Sequence, residues 1–280
     1  MKKKEKLEKV NAIIDSIVKE LNVAEVQYAP IKLEDIVFNK VDNYDTTKVN
    51  CFEFRNKRDM RCGIELNLGN MIGGYPLIVN NQMFENSECA YIGGLYSSKG
   101  KDSEEIQRLL STHKNGLFGK KTFRYRDNEY CKFKRQDWED YNIEFMKYII
   151  LCKINTNEDF RNLLLFIPDN VMLIEDVSFM NGNNRLVWGC ENNELKKIKK
   201  EKLKVLKQRL IEENIAYNKQ FRQMLFNRIH NIGIWNGKNI MGKILTYFMI
   251  CMKNNIEPKI DFDLLKNMDI YWFGEKLNFD

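Results

Sequence analysis

The stretch from Asp137 to Glu175, DWEDYNIEFMKYIILCKINTNEDFRNLLLFIPDNVMLIE, sets two kinds of pattern side by side. Trp138, Tyr141, Phe145, Met146, Ile149 and Ile150 recur at three- and four-residue steps, the spacing of one helix face, and Asp137 stands where a cap belongs. This predicts a helix from Asp137 to about Lys153. Glu158 to Phe166 predicts a second, shorter helix. Val171 to Glu175 (VMLIE) is short and continuously apolar up to its last residue, which predicts a strand. Helices beside an occasional strand, without regular alternation, predict a mostly helical α+β fold with a small β-sheet rather than a doubly wound α/β fold.

The same balance holds in both directions along the chain. Val10, Ile13, Ile14, Ile17, Val18 and Leu21 predict an amphipathic helix over 4–22 that packs on its own domain, and Asp35 marks a further helix start. VNCFEF (Val49–Phe54) predicts a strand. The glycine-punctuated CGIELNLGNMIGGYPLIV (Cys62–Val79) predicts loops and a strand ending at Val79. Asn86-Ser87 starts a helix with Glu88 in its first turn, where the macrodipole favours an anion. A short helix follows over 103–111, and 112–136 reads as a basic loop with a strand. Residues 193–228 read as one long basic helix or two. Lys196, Lys197, Lys199, Lys200, Lys202, Lys204 and Lys207 crowd the first half beside a thin stripe of Leu195, Ile198, Leu206 and Leu210. Ile240, Met241, Ile244, Leu245, Phe248, Met249 and Met252 predict a buried helix after Gly237. Asn236 would cap it, and Gly242 would let another helix pack closely. The expected organisation is an N-terminal helical extension (1–48) and one domain (49–280) with a basic helical insertion (193–232).

The 280 residues are 44% hydrophobic and 30% charged, which excludes collagen, low-complexity disorder and a disulfide miniprotein. Seven cysteines without a C-x-x-C pair predict reduced thiols, and two histidines leave a zinc site few ligands, so no metal is expected. Met1 to Lys9 is charged and lacks the apolar core of a signal peptide. The best apolar run, Ile244–Met252, is far short of the ~20 residues of a membrane span. A cytoplasmic protein with no membrane partner is expected. The net charge of +6 admits anionic partners.

No P-loop, nucleophile elbow, H-E-x-x-H or complete dinucleotide fingerprint is present. Four weaker features remain. Trp235–Gly242 (WNGKNIMG) opens the last apolar helix, where free N–H groups, glycines and Lys238 suit an anion; a cap and a packing glycine are the plain alternative. Glu88, with Tyr91 and Tyr96 one or two turns on, suits acid–base work or stabilisation of a sugar cation; an ordinary acid near a helix start is its alternative. Glu175 ends a strand ahead of Trp188-Gly189, and an indole can stack on a base or simply fill a core. Lys114, Lys120, Lys121, Lys132 and Lys134 interleave with Phe118, Phe123, Tyr125 and Phe133, which suits a ligand bearing both phosphate and base. A desolvated lysine there could instead act as an amine nucleophile.

In this order the features resemble the NADAR, or YbiA-like, family over roughly Val49 to Lys253. Its Ser-Asn-Met/Phe segment is similar to Gly69-Asn70-Met71, followed by Tyr75–Val79, and its Ser-Glu-x-x-Tyr helix to Ser87–Tyr91. Its Asp-Trp, Met and Lys positions match Asp137-Trp138, Met146 and Lys153. Its leucine-rich stretch ending in Glu matches Leu163–Glu175, its Trp-Gly matches Trp188-Gly189, and its Gly-x-Asn-x-x-Gly-x-x-Leu matches Gly237–Leu245. The chain departs from the family where Ile92-Gly93-Gly94 replaces Gln-Ala and Arg185 replaces an Asp. It also carries the insertion, and the family lysine maps onto either Lys120 or Lys121.

The resemblance implies a hydrolase that cleaves an N-glycosidic bond between ADP-ribose and a nucleobase, namely ADP-ribosyl-guanine in nucleic acid. It would reverse ADP-ribosylation and pair functionally, as an antitoxin does, with an ADP-ribosyltransferase. Alternatives are a small-molecule N-glycosidase acting on ribosylated pyrimidines of riboflavin synthesis, and a non-catalytic module that binds ADP-ribose. The implied catalytic residues are Glu88, Lys120 and Glu175. Asn70, Met71, Tyr91, Lys121, Trp188, Gly189, Gly237, Lys238, Asn239 and Gly242 would bind substrate, and no cofactor is called for. Lys196–Arg209 would contact nucleic-acid phosphates.

Overall fold

The computed structural model describes residues 3–23, 25–55, 59–125, 127–182 and 185–279. The first part of the chain forms α1 (Lys3–Lys19), β1 (Asp42–Asp45), β2 (Asn50–Phe54), β3 (Met60–Arg61), β4 (Ile64–Glu65), β5 (Leu77–Val79) and β6 (Gln82–Phe84). Next come α2 (Ser87–Leu95), α3 (Lys101–Thr112), α4 (Gly116–Gly119), a π-helical turn (Lys120–Tyr125), a 3-10 turn (Glu129–Phe133), α5 (Trp138–Thr156) and α6 (Glu158–Phe166). The remainder forms β7 (Val171–Glu175), α7 (Arg185–Trp188), α8 (Asn193–Glu212), α9 (Lys219–Arg228), β8 (Ile234–Gly237), α10 (Ile240–Lys253), α11 (Phe262–Asn267), β9 (Tyr271–Trp272) and β10 (Glu275–Lys276). Helices dominate, and every strand among the described residues belongs to a two-stranded sheet. The fold is α+β.

The chain divides into two compact units, Met1–Asn67 with Pro168–Thr246 and Leu68–Ile167 with Tyr247–Asp280. The first is built on β2 and β7, a parallel pair in register from Asn50 opposite Val171 to Phe54 opposite Glu175. Both strands are buried over four of five positions, the usual state of parallel strands, which is why β7 reads as a near-continuous apolar run and β2 as one interrupted by Glu53. β1 and β8 pair antiparallel. α1 buries Val10, Ile14 and Ile17 and packs on α8 and α9. The basic run is two helices: Asn214 turns the chain at φ 53°, and the Asn218 side chain caps α9 by accepting the Phe221 N–H at 3.0 Å.

The second unit is built on α5, which buries Trp138, Tyr141, Phe145, Met146, Ile149 and Ile150. Gly93 and Gly94 of α2 have a packing reason. A Cβ at Gly94 would stand 2.3 Å from the Phe145 ring, and one at Gly93 2.8 Å from Trp272. Larger side chains would push α2 off its neighbours.

Several local expectations are corrected. The described residues of 112–136 hold no strand: Asn115 and Asn128 cap short helical turns by accepting the Leu117 and Tyr130 N–H groups. Asp137 is the N-cap residue of α5, as expected, but its carboxylate is held by Arg135 at 2.6 and 2.8 Å and caps no helix N–H. Asp35 closes a short 3-10 turn rather than opening a helix. Asn236 lies in β8, and Asn239, at φ 52°, is the residue that precedes α10. Gly242 admits a strand rather than a helix, since its Cβ would stand 2.1 Å from the Leu173 carbonyl oxygen of β7.

Lys153, near the end of α5, is fully buried. Its ammonium lies 4.1 Å from the centre of the Phe160 ring and 5.4 Å from that of Tyr75. Its Nζ has no hydrogen-bond partner among the described residues. Burial pushes this amine down from 10.5 to about 7. The unfolded chain therefore binds more protons than the folded one between pH 7 and 10.5, and unfolding free energy rises with pH across that window. Lys153→Met, similar in length and free of charge, is expected to stabilise the protein by about 1–4 kcal/mol at pH 7. Urea midpoints across the window check this: the gain should shrink as pH rises toward 10.5.

Candidate functional site

In the second unit Asn86 organises the start of α2. Its Oδ1 accepts the Cys89 N–H at 2.9 Å, and its Nδ2 donates to the His113 carbonyl at 2.8 Å. The Glu88 N–H, one of the amides a helix start leaves without a helical acceptor, donates to the Asn70 carbonyl at 3.0 Å. Gly69–Met71 is thereby tied to α2. α4 presses on the same place: a Cβ at Gly116 would stand 2.7 Å from Met71 Cα and from Asn86 Oδ1, and one at Gly119 2.7 Å from Cys89 Sγ. This approach brings the next residue, Lys120, to Glu88. Gly119→Ala should lower stability by about 1–3 kcal/mol through overpacking, and Cys89→Ala in the same chain should recover most of that loss in a denaturant titration.

Glu88 is only 4% exposed. Lys120 Nζ lies 3.4 Å and Arg124 Nη1 3.7 Å from its Oε1. Charge-assisted hydrogen bonds settle at about 2.7–2.9 Å, so both cations stand off, and Glu88 Oε1 accepts no hydrogen bond among the described residues. Lys120 and Arg124 sit four residues apart on the π turn, a local geometry frequent at functional sites. The Arg124 guanidinium lies 5.3 Å from the centre of the Tyr91 ring, which packs on Trp138 at 4.8 Å. Lys121, the alternative lysine, is exposed.

The first unit holds a second trio of Glu, Lys and Arg, and the comparison is informative. Glu53 is 2% exposed. Arg61 donates to it from Nε at 2.9 Å and lies 2.5 Å away through Nη2, and Lys199 Nζ donates at 2.9 Å. Burial alone would raise the Glu53 pKa, but the two cations overcome it and hold the group at about 2. This trio is saturated, which marks it as structural. The Glu88 trio carries the same charges at longer range with an acceptor left over, and a reacting atom needs that opening.

The other predicted residues lie together in the first unit. Asn239 Oδ1 accepts the Glu175 N–H at 3.1 Å, while its Nδ2 donates to the Leu173 carbonyl at 2.8 Å. A Cβ at Gly189 would stand 2.4 Å from the Glu175 carbonyl oxygen, and one at Gly237 2.3 Å from that of Gly189. The Lys238 N–H donates to the Leu186 carbonyl at 2.7 Å. Protein backbone, together with the Asn239 side chain at Gly242, fills the space beside these glycines, so packing accounts for them. Trp188 and the Glu175 side chain are half-buried. Arg185 pairs with Glu191 at 2.5 Å. Of the aromatic residues offered for stacking, Tyr91 is fully buried, so Trp188 has the surface to stack. The Tyr125 side chain lies outside the described residues.

Arg124 as a neighbour of Glu88, and Trp138 as a neighbour of Tyr91, escaped the sequence reading. Arg124 falls four residues after Lys120, and recognising a helical turn there would have found it.

No family model matches the chain, and no curated protein matches it. Among solved structures, the NMR structure of the E. coli protein YbiA is similar, at 16% identity and a TM-score of 0.38, covering 61% of this chain and 90% of that one. No helix among the described residues is long and apolar enough to cross a membrane.

Proposed function

We propose that this chain is an N-glycosyl hydrolase that releases ADP-ribose from a nucleobase, with guanine in nucleic acid as the substrate. The observation that carries this reading is the buried Glu88 carboxylate with Lys120 and Arg124 standing off from one oxygen. Departure of the base takes the C1′–N electron pair with it and leaves positive charge on the ribose ring. A fixed carboxylate in a water-poor site offsets that charge as it develops. Water then adds its oxygen to C1′, and its proton goes to the departing base. Lys120 would donate a hydrogen bond in that step; in the alternative route its amine, its proton lost to solvent, forms the bond to C1′ in place of water, and water then displaces it. Arg124 leaves the trio with net positive charge, which suits the diphosphate. A chain that removes ADP-ribose would pair functionally with the transferase that attaches it.

Incubation with an ADP-ribosylated guanine oligonucleotide tests this reading, and the free ribosylated pyrimidine of riboflavin synthesis serves as comparison. Release from the oligonucleotide supports it; release from the pyrimidine alone points to the small-molecule N-glycosidase. A second reading, a non-catalytic module that binds ADP-ribose, is favoured by Arg185, whose charge is opposite to that of the family Asp. Calorimetric binding without turnover of either substrate would select it.

A further inference from the structure

The basic insertion is not a uniform cloud of charge, because the fold sorts its cations. Lys199 is buried on Glu53. Lys202 and Arg209 both hold Glu20, the residue after α1, at 2.9 and 2.7 Å. Lys196 donates to the Ser178 carbonyl. Four lysines remain on the outside of α8, namely Lys197, Lys200, Lys204 and Lys207, and all are exposed. Their steps of three, four and three residues place them on one helix face. At 1.5 Å per residue they span about 15 Å.

Lys197, Lys200 and Lys204 line an open groove with Asn193, Lys196 and Glu201, four lysines against one acid. Lys207 Nζ closes the row 5.0 Å from the centre of the Tyr217 ring, a residue 39% exposed. The apolar residues Leu195, Leu206 and Leu210 are buried, and the single exposed Ile211 at the end of α8 is not the apolar face that an interfacial membrane helix inserts. A row of evenly spaced cations ending on an aromatic ring fits a regularly charged polymer that also presents bases.

We propose that this face of α8 docks the phosphodiester backbone of a nucleic acid. The inference stands whether or not the chain hydrolyses anything. If the hydrolytic reading holds, it adds which residues hold the polymer that carries the target base.

The test is fluorescence anisotropy of the full chain with labelled single-stranded and duplex oligonucleotides across a salt series. Each phosphate contact contributes about 0.7–0.9 to the slope of log affinity against log salt. Replacing Lys197, Lys200, Lys204 and Lys207 together by Gln should lower that slope by about 3 and weaken binding at least ~10-fold at moderate salt. Each single Lys→Gln change should remove about 0.7–0.9 of the slope. The quadruple Lys→Arg variant, which keeps the charge, should retain both slope and affinity. Three outcomes would overturn the proposal: no binding by the wild-type chain at low salt, an unchanged slope in the Gln variants, or tighter binding to phosphatidylserine vesicles than to either oligonucleotide.

Discussion

Replacing Glu88 by Gln is expected to slow release of the base by about 10²–10³-fold, the effect of losing one preorganised electrostatic partner of the transition state. The substitution keeps shape and removes charge, so substrate affinity should change far less than the rate. Lys120→Ala should also slow the reaction. Lys121→Ala should not, because Lys121 is exposed while Lys120 faces the carboxylate. Single-turnover release with enzyme in excess separates these cases, since it reads chemistry without product dissociation. Loss of rate in the Lys121 variant and not in the Lys120 variant would reverse the assignment. Equal rates for wild type and Glu88→Gln would remove Glu88 from the chemistry.

The second large effect concerns stability. Glu53→Gln leaves Arg61 and Lys199 with no compensating charge in a buried place. Breaking a buried pair by removing one partner costs about 3–5 kcal/mol, and that loss is expected in urea denaturation at neutral pH. Replacing all three by apolar residues of similar volume should recover most of it, because the desolvation cost of all three charges disappears with them. The same group sets an acid limit. With its pKa held at about 2 against an ordinary 4.5, its stabilising contribution is complete above pH 4.5 and is lost as pH falls from there through 2. The wild-type chain should therefore lose stability across that window more steeply than the Glu53→Gln variant. A cost below about 1 kcal/mol would contradict the structural role assigned to this trio.

The two trios show what a linear reading can reach. The elements were legible where periodicity was strong: α5, α6, β7 and α10 stand close to where their apolar patterns place them. The pairing of β2 with β7 was not, because a parallel register depends on contacts across 120 residues that no local pattern encodes. Lys199 illustrates the same limit in the site. In sequence it is one lysine among seven in a solvated run, and only the approach of α8 to β2 reveals that it neutralises Glu53. Motif order left Lys120 and Lys121 as alternatives, and that Lys120 is the one beside Glu88 follows from the packing of α4 on α2 through Gly116 and Gly119. The glycines of 237–242, read as a possible anion cradle, are explained by neighbouring atoms of the chain that occupy that space. The basic excess likewise divides once the fold is known, into cations that hold α1 and β2 and a row left facing outward.

The central claim is that this chain breaks the bond between ADP-ribose and a nucleobase. The measurement that tests it most directly is chromatographic detection of free ADP-ribose after excess wild-type protein is mixed with an ADP-ribosylated guanine oligonucleotide. The account predicts stoichiometric release of ADP-ribose with recovery of the unmodified strand. An intact modified strand after prolonged incubation, from protein that is folded and binds the oligonucleotide, would contradict it.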